Sequence, residues 1–217
     1  MPPPDPRQYD AAAAWFRDRV PISDEEWEAL QGKLKEQAFK IAGVAQLDIV
    51  TQVWEALDRA IADGTSFDDF KDEVSASLSG AWGGAYPYRV ETIFLNWTQR
   101  AYAAGRYETM TSPAVKQMRP FWQFLNGDPV SDICVASDGT ILPADDPWWA
   151  DHNPPLHHRC KSGVVSLTAE EAGDDIDDTP PDVDPDDGFG GAPTNDWDPD
   201  LSDYPGELAS AYQEKSG

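Results

Sequence analysis

Along the first half of the chain apolar residues recur at steps of three and four, the period of amphipathic helices. Ala11 to Arg19 reads as a short helix stopped by Pro21. It follows a Pro-rich lead-in over residues 1–9, where no packed element is expected. Ser23-Asp-Glu-Glu26 has the form of a capping box, with the serine accepting from a first-turn amide and the glutamate reaching back. Behind it Trp27, Leu30, Leu34, Ala38 and Ile41 fall on one helical stripe. The next helix runs from about Ala45 to Asp63, with Leu47, Val50, Trp54, Leu57 and Ile61 inward and Gly64 as its stop. Ser66 caps another, whose inner face is Phe67, Phe70, Val74 and Leu78.

The stretch from Gly80 to Tyr88, GAWGGAYPY, interrupts this period and reads as a hinge. Arg89 to Met110 is then the longest clean helix, with Val90, Ile93, Phe94, Trp97, Ala101 and Tyr102 on one face. After Pro113 and Pro120 the aromatic run FWQFLN predicts a strand ending at Asn126-Gly127, and Gly163 to Leu167 predicts a short closing strand. The pattern therefore describes an α+β protein, a mainly helical N-terminal half followed by a small unit of short strands. Its expected parts are a helical region over 1–85, a mixed domain over 86–168 and an acidic extended tail over 169–217.

Charge sharpens the picture. The formal net charge is −24, and 16 of the 40 acidic residues lie after position 169. That balance disfavours direct nucleic-acid binding, which needs Lys and Arg to displace counterions, and it disfavours anionic lipid as well. No apolar run approaches membrane-spanning length, and the opening residues MPPPDPRQYD do not have the basic-plus-apolar pattern expected of a secretory signal. Like charge and scarce apolar area should keep the tail disordered in isolation. Phe189, Trp197, Tyr204 and Tyr212, widely spaced along it, read as anchors that dock on a partner or back on the body.

Candidate chemistry concentrates in one segment. Cys134 and Cys160 are the only cysteines, and all the histidines (His152, His157 and His158) lie between them. Thiolate and imidazole are favoured zinc ligands, and His157-x-x-Cys160 has the spacing of a metal-gripping turn. The same residues can also form a dry structural knot or a disulfide. Trp148 and Trp149 carry too much apolar area to stay wet and should cover a core or an interface. Asp145 and Asp146 are placed to cap a turn or to pair with Arg100 and Arg106 of the long helix.

The segments ETIFLNWTQRAYAAGRYETM, RPFWQFLNGD, DGTILPADDPWW and PPLHHRC, in that order over roughly residues 89–167, resemble the Mu F-like family of phage head morphogenesis proteins. His157 and Cys160 stand at the family's PP-x-H-x-x-C positions, Cys134 where many members carry a histidine, and Ser162 where a second cysteine usually stands. The resemblance implies a zinc site on Cys134, His157 and Cys160, with Asp132, His152, His158 or water as the fourth ligand. It implies a non-enzymatic minor head protein in the virion interior near the portal, reached through the host cytoplasm during assembly. Its partners would be the portal protein or the major capsid protein, in multiple copies. Its role would lie in head assembly and in DNA packaging or ejection. The alternative is a Mu F-like effector or hydrolase domain using the Cys134/His157/Cys160 loop. G-x-S-x-G, H-E-x-x-H and P-loop motifs are absent.

Overall fold

The computed structural model describes residues 6–29, 38–127 and 130–193. Its backbone is α+β, as the apolar pattern requires, and it divides into two compact units.

The first unit is Ala13–Phe94. Helices α3 (Leu47–Asp63) and α4 (Phe67–Trp82) pack together at its centre. Val50, Val53, Leu57 and Ile61 of α3 and Phe70, Val74 and Leu78 of α4 are fully buried. Burial of each contributes about 1.5–3 kcal/mol before entropy is set against it. The stops are those expected: Gly64 takes φ 73° and donates to Ala60 O, and Ser66 Oγ accepts from Asp69 N at 3.2 Å. Phe16 stacks on Trp54 at 5.5 Å and meets Phe39 edge-on at 5.9 Å.

Three expectations need correction here. Helix α1 (Pro6–Arg17) begins inside the Pro-rich lead-in, because proline is tolerated at the first helical position, where no amide has to donate. The stripe from Trp27 to Ile41 is not one helix. Among the described residues of that stretch, α2 (Asp24–Ala29) is helical, while β2 (Ala38–Phe39) pairs in parallel with β1 (Val20–Pro21). Ala38 and Phe39 thus bury their side chains as strand residues, and strand and helix readings of so short an apolar run are hard to separate. Leu30, Leu34 and the Glu26 side chain lie outside the described residues. Finally, α4 continues to Trp82, so the hinge shrinks to a few residues around Gly83, which takes φ 68°.

Helix α5 (Pro87–Thr111) is the long helix foreseen. The second unit takes its C-terminal part, with Leu95–Thr194 and Met1–Ala12. After α6 (Pro113–Met118), strand β3 (Phe121–Leu125) lies between β4 (Ile141–Pro143) and β5 (Gly163–Leu167), antiparallel to both. Helix α7 (Asp132–Ser137) precedes β4, a 3₁₀ turn spans Pro147–Ala150, and α8 (Ala169–Ala172) opens with a capping box between Thr168 and Glu171. One core cluster joins Met110 of α5 to Trp122, Phe124, Leu142, Trp148, Trp149, Leu156 and both cysteines.

The acidic segment does not leave the body at residue 169. Through residue 193 it is laid down as a strap by backbone bonds. Asp177 N donates to Ile141 O at 2.9 Å, Asp186 N to Leu156 O at 2.9 Å, and Gly190 N to Pro155 O at 3.0 Å. Asn153 N donates back to Gly190 O at 2.7 Å. Phe189 docks beneath the Arg100 guanidinium, 4.9 Å from its ring, and edge-on to His158 at 4.8 Å. Backbone pairing is indifferent to side-chain charge, so the strap can bind while most of its carboxylates stay exposed; the Asp177 side chain also docks, its Oδ2 accepting from Ile141 N at 2.8 Å. Trp197, Tyr204 and Tyr212 lie outside the described residues.

Candidate metal centre

Cys134 is delivered by α7, not by a loop. Ser131 caps that helix, its Oγ accepting from Cys134 N at 3.4 Å, and the inward face carries the thiol into the core. His157 and Cys160 come from a tight turn closed by Cys160 N donating to His157 O at 3.3 Å, with Arg159 in the left-handed region at φ 63°. Asn96 of α5 holds that turn open at the required angle. Its Oδ1 accepts from Arg159 N at 2.7 Å and its Nδ2 donates to His158 Nδ1 at 2.8 Å. The sequence alone assigns Asn96 no role of its own, although it lies in the ETIFLNW run of the long helix.

The structure brings the three expected residues together. Cys134 Sγ lies 3.2 Å from His157 Nε2 and 3.7 Å from Cys160 Sγ. One ligand atom from each falls within 4.8 Å of the other two. Both thiols are free, 0% and 1% exposed, and His157 is half-buried. The His157 ring is oriented by its own neighbour, since Nδ1 faces His158 O at 2.9 Å. A carbonyl only accepts, so Nδ1 carries the proton and Nε2 turns its lone pair towards Cys134.

The other two histidines are committed elsewhere. His152 is buried, stacked on Trp148 at 4.1 Å, with Nδ1 2.9 Å from Trp148 O and Nε2 2.8 Å from Val183 O. It ties the strap to the 3₁₀ turn. His158 spends Nδ1 on Asn96. Asp132 is exposed and stands outside the cluster.

The electrostatics of the thiol pair are lopsided. Cys160 is pulled down to about 5, first by the hydrogen bond from Cys134, with backbone groups of Leu156 and Ser162 and the Ser162 hydroxyl adding to it against burial. Cys134 is pushed up, first by that same contact with Cys160 and then by burial. Ser162, in the place of a further cysteine, therefore serves the sulfurs from the side, and its Oγ also accepts from Gly127 N at 3.1 Å.

A tetrahedral ion with Zn–S bonds of about 2.3 Å sets its sulfurs about 3.8 Å apart, and the observed pair fits that edge. Two thiolates and one neutral imidazole would also cancel the charge of a divalent ion, which suits a dry site. A nucleophilic thiol needs access and a lowered pKa. Cys134 has neither, and Cys160 has no access.

Of the Asp145/Asp146 expectation, the turn cap holds and the pairing with Arg100 and Arg106 is corrected. Asp145 pairs with Lys116, and Asp146 Oδ1 caps the 3₁₀ turn by accepting from Trp148 N at 2.9 Å. Arg100 instead donates to Gly188 O at 2.7 Å, and Arg106 to Val164 O at 3.3 Å. Trp148 and Trp149 are buried in the core, as their area demands.

The described residues define an α+β protein with a buried Cys/His cluster. The chain belongs to the phage Mu protein F-like family, whose match covers residues 51–165. It is 26% identical over 186 residues, 73% of this chain and 40% of the relative, to protein F of Escherichia phage Mu, a protein named for capsid assembly. To the Mu-like prophage FluMu F protein of Haemophilus influenzae it is 27% identical over 147 residues, 61% of this chain and 35% of that relative. The chain thus spans well under half the length of these curated relatives. No solved structure matches it.

Proposed function

We propose that this chain is a structural minor head protein, acting in phage capsid assembly inside the head near the portal vertex, with a part in DNA packaging or ejection. The family match over residues 51–165 carries the reading, together with a relative named for capsid assembly. Its partners are the portal protein or the major capsid protein, engaged by several copies, first in the host cytoplasm and then in the virion. The net charge of −24 supports that setting, since an acidic surface does not stick to packed DNA. Among the described residues no helix is long and apolar enough to cross a membrane. We assign residues 86–168 to the Mu F-like domain, 1–85 to its helical support and 169–217 to the acidic arm.

In this reading Cys134, His157 and Cys160 hold a structural zinc ion, with water in the fourth position, because His152 and His158 are engaged elsewhere. Bound there, zinc would cross-link α7 to the His157–Cys160 turn. Composition of purified heads, by mass spectrometry and cryo-EM of the portal vertex, tests the assignment. Normal, filled heads made without the protein would overturn it. The 3.2 Å Cys134–His157 contact is the one observation that favours a hydrolase. Loss of a hydrolytic activity in Cys134→Ala, with head assembly unchanged, would move the reading there.

A further inference from the structure

His152 is buried with an acceptor at each end of its ring. Nδ1 lies 2.9 Å from Trp148 O and Nε2 lies 2.8 Å from Val183 O, in a residue only 8% exposed. A carbonyl oxygen has no hydrogen to give, so each contact is a hydrogen bond only if the ring nitrogen donates. A neutral imidazole has one N–H and one lone pair. In either tautomer it would satisfy one carbonyl and turn a lone pair on the other, where little water can intervene. Only the imidazolium, protonated on both nitrogens, meets both acceptors. His157 makes the contrast plain. Its Nδ1 faces His158 O and its Nε2 faces the Cys134 sulfur, an arrangement that one proton serves.

The face of the ring agrees with its ends. The Trp148 indole lies parallel to it, 4.1 Å between centroids and 10° between planes, and an indole face attracts a cation. Carboxylates surround the contact. Asp146 and Asp151 bracket the 3₁₀ turn on the ring's own segment, and the exposed Asp182 and Asp184 flank Val183 on the strap. Beneath Trp148 the core cluster brings Cys134 and Cys160. Arg100 and His158 reach the strap further on, Arg100 at Gly188 O and Phe189, His158 at Phe189. The strap's backbone bonds to Ile141, Leu156 and Pro155 carry no titrating group. Carboxylates change charge in a lower range than histidine, so the Asp177 bond to Ile141 N is not the one that responds near neutral pH.

We propose that His152 is a proton-operated latch, which as an imidazolium holds the acidic strap to the 3₁₀ turn and on losing one proton lets Val183 go. The docked strap binds the extra proton, so docking is favoured at low pH and weakens as pH rises through the histidine range. The carboxylates are ionised throughout that range, which leaves their mutual repulsion unchanged while the one charge that offsets it disappears. A strap released at Val183 bares the Ile141 edge of β4 and the Pro155–Leu156 backbone, to which it is bonded when docked. The inference goes beyond head assembly, for it needs neither a metal nor a shell, and it is tested on the isolated full-length protein.

Amide hydrogen exchange reads strap opening at Asp186 N and Gly190 N, each rate divided by its unstructured-chain rate at the same pH. Phe124 N, which donates to Thr140 O inside the sheet, is the internal control. From about pH 5.5 to about pH 8 the protection of both strap amides is expected to fall about tenfold, the usual margin for a hydrogen bond to a charged group. Phe124 should keep its protection. His152→Gln carries an amide donor that does not titrate and should flatten the profile. His158→Gln, which alters the other histidine touching the strap, should leave the fall intact. In the wild type, imidazole ¹⁵N NMR should find both His152 nitrogens protonated while the strap is docked, one of them losing its proton along the curve of strap opening. This spectrum decides the matter if His152→Gln does not fold. A bare ring nitrogen in the docked strap, a flat wild-type profile, a fall that survives His152→Gln or one abolished by His158→Gln would each overturn the latch.

Discussion

Deleting one sulfur separates a metal-held clasp from a dry one. Cys160 is 1% exposed, so Cys160→Ala removes a buried atom of roughly methylene size. In a dry core that loses about 1 kcal/mol, from burial and a small cavity together. With zinc shared by Cys134, His157 and Cys160, the same change also removes the linkage of binding to folding. At free zinc one hundred times its Kd, that linkage is about 2.7 kcal/mol. For a folding unit of this size each kcal/mol moves Tm by about 4 °C. The metal-held clasp therefore predicts a fall of about 15 °C for Cys160→Ala in zinc, and about 10 °C for the wild type transferred into EDTA. The dry clasp predicts about 4 °C for the variant and nothing for EDTA. His157→Ala sharpens the contrast, because a half-buried ring contributes little to a dry core and as much as a thiol to a metal. Scanning calorimetry with and without chelator, alongside metal analysis of the purified protein, reads all of these. A wild-type Tm indifferent to EDTA, in folded protein lacking stoichiometric zinc, would refute the metal reasoning and leave the family assignment untouched.

Trp122, 1% exposed and in contact with the Tyr107 and Trp149 rings, is the keystone of the second unit. Trp122→Ala should cost about 3–5 kcal/mol in urea unfolding, and a loss below about 1 kcal/mol would contradict its burial. Gly190 sits at φ 82°, and a Cβ there would fall 2.1 Å from Asp151 O. Gly190→Ala should lift the strap, seen as faster limited proteolysis within residues 174–193 while the body stays protected. Unchanged cleavage there would show that the strap is held by other bonds. Glu171 is held below its ordinary carboxylate value of 4.5, first by the backbone N–H of Thr168, with the Thr168 hydroxyl and Arg119 adding to it against desolvation. Because the folded value is the lower one, its contribution is whole above the ordinary value and disappears as pH falls through the folded one. Glu171→Gln should flatten that part of the pH–stability profile, and an identical acid limb in urea titrations would disprove the role.

What could be read without coordinates was whatever depends on near neighbours in the chain. The helices ending at Gly64 and beginning at Ser66, the long helix behind Pro87 and the strands at Phe121 and Gly163 follow from period, caps and glycine, all of them local physics. The membership of the clasp was legible for a different reason, since only a few side chains here can bind a soft metal and they crowd one segment. Tertiary structure alone settled how those residues meet. A short helix capped by Ser131 aims Cys134, and Asn96, far away in sequence, sets the His157–Cys160 turn. The strand at Ala38–Phe39 and the docking of the acidic strap were equally out of reach. Each depends on backbone groups supplied by a distant segment, and an amide's hydrogen-bonding partner leaves no mark on its own side chain.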